Sequence, residues 1–167
     1  ETIAKILDLI AAAYSDETGF WNMVDGEGVS GINYSTSQIA ISPVLISFNG
    51  KLYAGWVENL DADTLPTVRI AVFDGIDTFN FVDGGGVIGL GGGRELELVE
   101  YNSELYALFV EDSEPKQLVI RKYNGDDLAP SWSSKTYLNY DSLKDAEYPK
   151  AATHDFGGGE RLFVTWE

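Results

Sequence analysis

The chain has no cysteine, one histidine and one methionine. Without cysteine there is no disulfide framework, no thiolate metal site and no cysteine nucleophile. The single imidazole, His154, has no cysteine or second histidine with which to share a transition metal, and reads as a surface or strand-edge side chain. Basic residues are also scarce: 11 Lys and Arg stand against 27 Asp and Glu, a formal net charge of -16. No Lys/Arg cluster interrupts this acidity, so a phosphate backbone would be repelled and nucleic acid is not an expected partner. No apolar run reaches the roughly 20 residues that cross a bilayer as a helix, so no membrane insertion is expected. No charged-then-apolar leader precedes Glu1, and the chain reads as processed or excised.

What is present is apolar and repetitive. Hydrophobic residues make up 44% and aromatics 13% of 167 residues, which suits one packed domain over 1–167 rather than an acidic disordered tail. FNGKLYAGWVE (Phe48 to Glu58) returns as YNSELYALFVE (Tyr101 to Glu111) and again as ERLFVTWE, ending at Glu167. FWNMVDGEGVSGIN (Phe20 to Asn33) matches FNFVDGGGVIGLG (Phe79 to Gly91), with a reduced copy in SWSSKTYLN (Ser131 to Asn139). INYSTSQIAISP (Ile32 to Pro43) matches LNYDSLKDAEYP (Leu138 to Pro149), and TVRIAVFDG (Thr67 to Gly75) matches QLVIRKYNG (Gln117 to Gly125). The order of parts never changes, and the period of about 53–57 residues is near the ~40–50 of propeller blades.

Each part reads as a strand, short, rich in β-branched and aromatic residues, and bounded by Asn-Gly, Asp-Gly or Gly-Gly turns. LYAGWV is apolar on both faces, which suits sheets stacked on both sides rather than one with a wet face. The expected fold is all-β: a β-propeller of four-stranded blades, three per chain, with repeats at approximately 15–74, 75–124 and 125–167 plus 5–14. The third copy stops before its last strand. LIAAAYSDETGFW (Leu9 to Trp21) aligns with VRIAVFDGIDTF, so an N-terminal strand at Leu9 to Tyr14 is expected to complete the last blade beside Arg161 to Trp166. A competing reading makes Thr2 to Ala13 a helix, because Ile3, Ile6, Leu7 and Ile10 fall at helical spacing. Propellers close with about four to eight blades, so a homodimer of six blades is expected, or else a piece of a larger propeller.

The motif series W/F-x-x-VDGxGxxGIN, A-x-x-P, FNxKLYAxWxE and IRVAVYNG resembles the repeats of secreted bacterial surface proteins in the sialidase-like and kelch-like propeller group. The resemblance covers nearly the whole chain, although copy three loses VDGxG and copy two is shortened between Gly91 and Leu96. It implies an extracellular or cell-surface protein. SDETGFW (Ser15 to Trp21) resembles the Asp-box turn of that group, one residue short, and such turns are structural.

The candidate chemistry is thin. A sialidase needs three arginines converging on a carboxylate, and Arg69, Arg94, Arg121 and Arg161 fall at non-equivalent points of the repeat, so no enzymatic activity is expected. Asp25, Asp83, Asp61, Asp63, Asp126 and Asp127 lie in acidic turns without the D-x-D-x-D-G spacing of a calcium loop; they read as solvated turns, with calcium the one cofactor left open. The recurring aromatics Trp21, Phe79 and Trp132, and Trp56, Phe109 and Trp166, read as core anchors or as platforms for a sugar ring. An aromatic face stacks on the C–H face of a pyranose while carboxylates bind its hydroxyls. On that basis Trp56, Glu58, Phe109, Glu111 and Trp166, which repeat near the end of one strand, are the candidate ligand contacts. The expected function is non-enzymatic, lectin-like recognition of a glycan or protein. The alternative is a structural repeat unit of a surface layer or filament, and a sialidase-like hydrolase is the distant third.

Overall fold

The computed structural model describes residues 12–15, 20–23, 31–35, 38–59, 65–84 and 89–167. These form twelve strands and no helix: β1 (Ala12–Ser15), β2 (Phe20–Met23), β3 (Ile39–Phe48), β4 (Lys51–Asn59), β5 (Thr67–Phe73), β6 (Phe79–Phe81), β7 (Gly91–Tyr101), β8 (Glu104–Glu111), β9 (Gln117–Lys122), β10 (Thr136–Tyr137), β11 (Lys150–Asp155) and β12 (Glu160–Thr165). The all-β expectation holds. Eight strands form one antiparallel sheet in the order β10-β9-β8-β7-β5-β4-β3, with β6 also paired to β5. That sheet is two meanders, β3 to β6 and β7 to β10, whose ladders join at Thr67 opposite Gly92 and Val68 opposite Gly91. It is open rather than closed into a ring, and β1–β2 and β11–β12 stand as separate hairpins.

The two meanders share local devices as well as sequence. Asn49-Gly50 and Asn102-Ser103 turn their hairpins with positive φ at both central residues, which matches the twist of the flanking strands. Each first strand carries a bulge at the same point, where Ser42 (φ 54°) and Glu95 (φ 58°) sit between shifted registers. Tyr148 (φ 53°) holds the corresponding place ahead of β11. These positions meet in space. The Tyr148 N–H donates to Glu95 Oε2 at 2.6 Å, and Lys150 ion-pairs with Glu97, both across 53 residues of chain. Strand β7 touches both β3 and β11, so the three first strands lie side by side.

Strands apolar on both faces need cover on both. Tyr53, Val57, Ile70 and Val72 of the first meander pack against Leu96, Leu105, Ala107, Phe109 and Val119 of the second. Gly55 allows the approach: a Cβ there would stand 2.6 Å from Leu96 Cδ2. The other face of the second meander, with Val99, Tyr106, Leu108, Leu118 and Ile120, packs against Ala146, Ala151, Leu162 and Val164 near and within β11–β12.

A polar clasp fastens the two meanders. Asp127, in the loop after β9, accepts hydrogen bonds from Tyr53 at 2.8 Å and Tyr123 at 2.9 Å, and an ion pair from Lys51 at 2.5 Å. Burial pushes its carboxyl up, but these three donors together hold it below the ordinary carboxylate value of 3.8. Burial first, and then the carboxylate of Asp127, push both phenols well above their ordinary 10.0. A depressed carboxylate contributes stability above its unfolded pKa and loses it as the pH falls through the folded value. The raised phenols contribute fully below pH 10 and lose their contribution as the pH climbs above it. Asp127→Asn should therefore cost about 1–3 kcal/mol at neutral pH by weakening the clasp. It should also flatten the alkaline fall in melting temperature. A variant that melts like the parent at pH 7 and pH 10.5 would show that the clasp contributes nothing.

The completion of the third copy is not made within this chain by the described residues. Strand β1 pairs β2 through Ala12 opposite Met23, and β12 pairs β11 through Ala151 opposite Val164. Leu9 to Ala11 lie outside the described residues, as does most of the competing helix at Thr2 to Ala13; Ala12 and Ala13 are in β1.

Candidate ligand-contact site

The five candidate contacts occupy the ends of β4 and β8 and the residue after β12. Trp56 and Phe109 are fully buried, whereas Trp166 is 37% exposed. Phe109 lies in the layer between the meanders. Trp56 lies on the opposite face of the first meander among Ile32, Ala40, Ala54, Ala71 and Phe79.

The acids beside them differ in the same way. Glu58 is buried and enclosed. Its Oε1 accepts the Trp56 indole N–H at 3.1 Å and the Tyr34 backbone N–H, and its Oε2 faces Arg69 Nε at 3.4 Å. Arg69, opposite Trp56 in register, turns Nη1 to Asp83 Oδ2 at 3.4 Å and lies 4.1 Å over the Tyr34 ring. Arg69, Glu58 and Asp83 expose 1% or less of their side chains, so this group of charges is closed to solvent. Glu111 has Val119 where Glu58 has Arg69, since Phe109 lies opposite Val119. It therefore reaches outward, to an ion pair with Lys135 and to the Tyr137 hydroxyl at 3.1 Å. Its side chain is 19% exposed, and Tyr137 is 53% exposed.

From Glu111 a polar rim runs toward Trp166. Gly93 faces Glu111 and Arg94 faces Val110 in the ladder, and Arg94 ion-pairs with Asp112. Arg94 Nε is buried without a hydrogen-bond partner. Lys116 ion-pairs with Glu147, whose carboxylate holds its ammonium above the ordinary value of 10.5. Glu147 and Glu167 exchange backbone hydrogen bonds of 2.9 Å, which fixes the chain after Trp166, as the pairing of Thr165 with Lys150 fixes it before. The structure thus gathers Glu111 with Lys135 and Tyr137 at one end of the second meander, and links Lys116 through Glu147 to the backbone of Glu167, the residue after Trp166. It keeps Trp56, Glu58 and Phe109 inside. Lys135 and Tyr137 were not legible as site residues because they lie in SWSSKTYLN, the most reduced copy of its motif.

The remaining sequence candidates are placed as follows. His154 is exposed and meets Phe156 edge-on at 4.5 Å. Arg121 donates to the carbonyls of Ser133, Leu90 and Trp132, and Arg161 lies over Phe156 at 6.0 Å. The four arginines therefore serve four separate environments. Asp74 accepts the N–H groups of Ile76, Asp77 and Thr78, and Asp126 those of Leu128 and Ala129, so these acids shape their own turns. Among the described residues no group of three His, Cys, Asp or Glu could hold a metal ion. Asp25, Asp61, Asp63 and the centre of SDETGFW lie outside them. No protein-family model matches the chain, and no curated protein or solved structure matches it.

Proposed function

We propose that this chain is a non-enzymatic binding module built on propeller-type blades, recognising a glycan or protein ligand at the cell exterior. The observation that supports it is the rim at the ends of β8 and β12. There the exposed Tyr137 phenol and Lys135 meet Glu111, and Lys116 leads through Glu147 to Glu167, the residue after the exposed Trp166 indole. Apolar ring faces beside a few hydrogen-bonding groups are what a pyranose needs for stacking and orientation. The blade reading is supported by the position-to-position contacts of Glu95 with Tyr148 and Glu97 with Lys150. The extracellular placement is supported by the resemblance to secreted surface repeats. The scaffold alternative is favoured by one observation of its own: Trp56 and Phe109 are fully buried, so packing alone accounts for the aromatic repeat at those positions.

A glycan array probed with the parent chain and with Trp166→Ala and Glu111→Gln separates the two. The binding-module reading expects the parent to bind and each variant to bind about tenfold less tightly, a loss of about 1.4 kcal/mol. Melting temperatures should stay close to the parent value, because both side chains are partly exposed. A parent chain that binds neither glycans nor cell-surface proteins leaves the scaffold reading.

A further inference from the structure

The outer face of the second meander carries a groove of about 230 Å³ lined by Tyr106, Ile120, Arg121, Lys122, Ser133 and Thr136. The corresponding place on the first meander is filled. Tyr53 lies opposite Val72 as Tyr106 lies opposite Lys122, so the two tyrosines are structural equivalents. Over Tyr53 lies Tyr123, 6.1 Å between ring centroids, with Trp132 a further 5.0 Å on and Asp127 on the hydroxyl. The cover thus comes from the end of β9 and the chain bridged to it, Tyr123 opposite Trp132. Tyr106 meets Tyr101 at 6.2 Å, as Tyr53 meets Phe48 at 5.8 Å, but among the described residues no second ring covers it as Tyr123 covers Tyr53. The Tyr106 hydroxyl turns instead to Glu104 at 2.7 Å, and burial and that carboxylate push it up to about 12.

A strand pair of the same construction exists elsewhere in the chain. β1–β2 sets Tyr14 opposite Trp21, as β5–β6 sets Phe73 opposite Phe79 and the β9 end sets Tyr123 opposite Trp132. Within this chain β1–β2 pairs with no other described strand, and β12 is paired along one edge, whereas β4 and β8 are paired along both. We infer that the Tyr106 groove seats the β1–β2 hairpin of a second copy of this chain; the inference rests on reading the meanders as blades. Two further observations favour that occupant. The groove continues an interface already made, since Tyr106 and Ile120 adjoin the layer where Leu162 and Val164 of β12 pack. Its rim carries Lys122 beside Glu104, the Arg121 guanidinium being turned to the carbonyls of Leu90, Trp132 and Ser133, while residues 12–23 carry Asp16 and Glu17 and no basic residue. The filled site on the first meander uses the same pairing of signs, Asp127 with Lys51. Strand addition at an open edge supplies backbone hydrogen bonds, and reciprocal exchange between two copies closes with two-fold symmetry.

Light scattering over a range of concentrations tests this, with thiol cross-linking on a background free of native cysteine. The parent should be a dimer. Ser15→Cys mixed with Thr136→Cys should be joined by a short bis-maleimide into a heterodimer, whereas Ser15→Cys with Ser103→Cys, at a hairpin tip, should not. Lys122→Glu should raise the dimer Kd about tenfold with its circular dichroism unchanged, because the Lys122–Glu104 pair is exposed at both ends. A monomer at all concentrations, no selective cross-link, or a dimer indifferent to Lys122→Glu overturns the proposal. A monomer that binds a saccharide and loses it on Tyr106→Ala also overturns it while leaving the binding-module reading standing. A dimer that binds no glycan upholds the seat and counts against that reading.

Discussion

Arg69→Leu is expected to cost about 3–5 kcal/mol, one of the largest losses from a single change in this chain. Arg69 is 1% exposed and lies between two carboxylates, Glu58 and Asp83, whose side chains expose nothing. Removing it leaves two negative charges in a poorly solvated space, beside the Trp56 indole and the Tyr34 and Ile70 N–H groups. The hydrogen-bonded attraction of a buried pair roughly offsets the desolvation of its members, so the loss comes from the uncompensated partners. A triple variant, Arg69→Leu with Glu58→Gln and Asp83→Asn, should therefore recover much of the stability lost by Arg69→Leu alone. Urea midpoints of the two variants and the parent decide it. A single variant within 1 kcal/mol of the parent, or a triple variant no better than the single, would falsify the account of a closed charge group.

That charge group marks where sequence reasoning stopped. The strands themselves were legible, because Asn49-Gly50 and the two-sided apolar pattern of LYAGWV depend on residues close together in the chain. Glu58 and Glu111 are the same letter at the same place in the same phrase, yet one is sealed and the other faces out. The difference lies across the ladder, in Arg69 against Val119, and no property of the phrase itself reveals it. The positive φ of Ser42, Glu95 and Tyr148 is hidden in the sequence for a related reason: none is a glycine or asparagine, the residues that announce it. Glu95 and Tyr148 meet each other through a hydrogen bond across 53 residues of chain, a tertiary contact. The same limit applies to the candidate site. Repetition identified Trp56, Phe109 and Trp166 as one position, but whether each ring is covered depends on what its neighbour supplies.

Trp56→Ala and Trp166→Ala should accordingly have opposite profiles although they occupy one place in the repeat. The Trp56 indole is fully buried, packs 5.7 Å from the Phe81 ring and donates to Glu58. Truncation leaves a cavity that β4 cannot close by moving, because its edges are hydrogen-bonded to β3 and β5. It also removes one donor from the Glu58 carboxylate. The expected loss is about 3–5 kcal/mol, in the range of large aromatic truncations in packed cores. Trp166 lies beyond the end of β12 with over a third of its surface in solvent, so its truncation should cost about 1 kcal/mol or less. Denaturant titration of both variants, followed by circular dichroism, gives the comparison, and the glycan array gives the second readout. If Trp56→Ala keeps the parental midpoint and loses ligand instead, the indole is a platform and the closed packing around it is wrong. If Trp166→Ala is the more destabilised of the two, β12 is held by its terminal indole, and the rim from Glu111 to Trp166 is part of the core rather than a surface for a ligand.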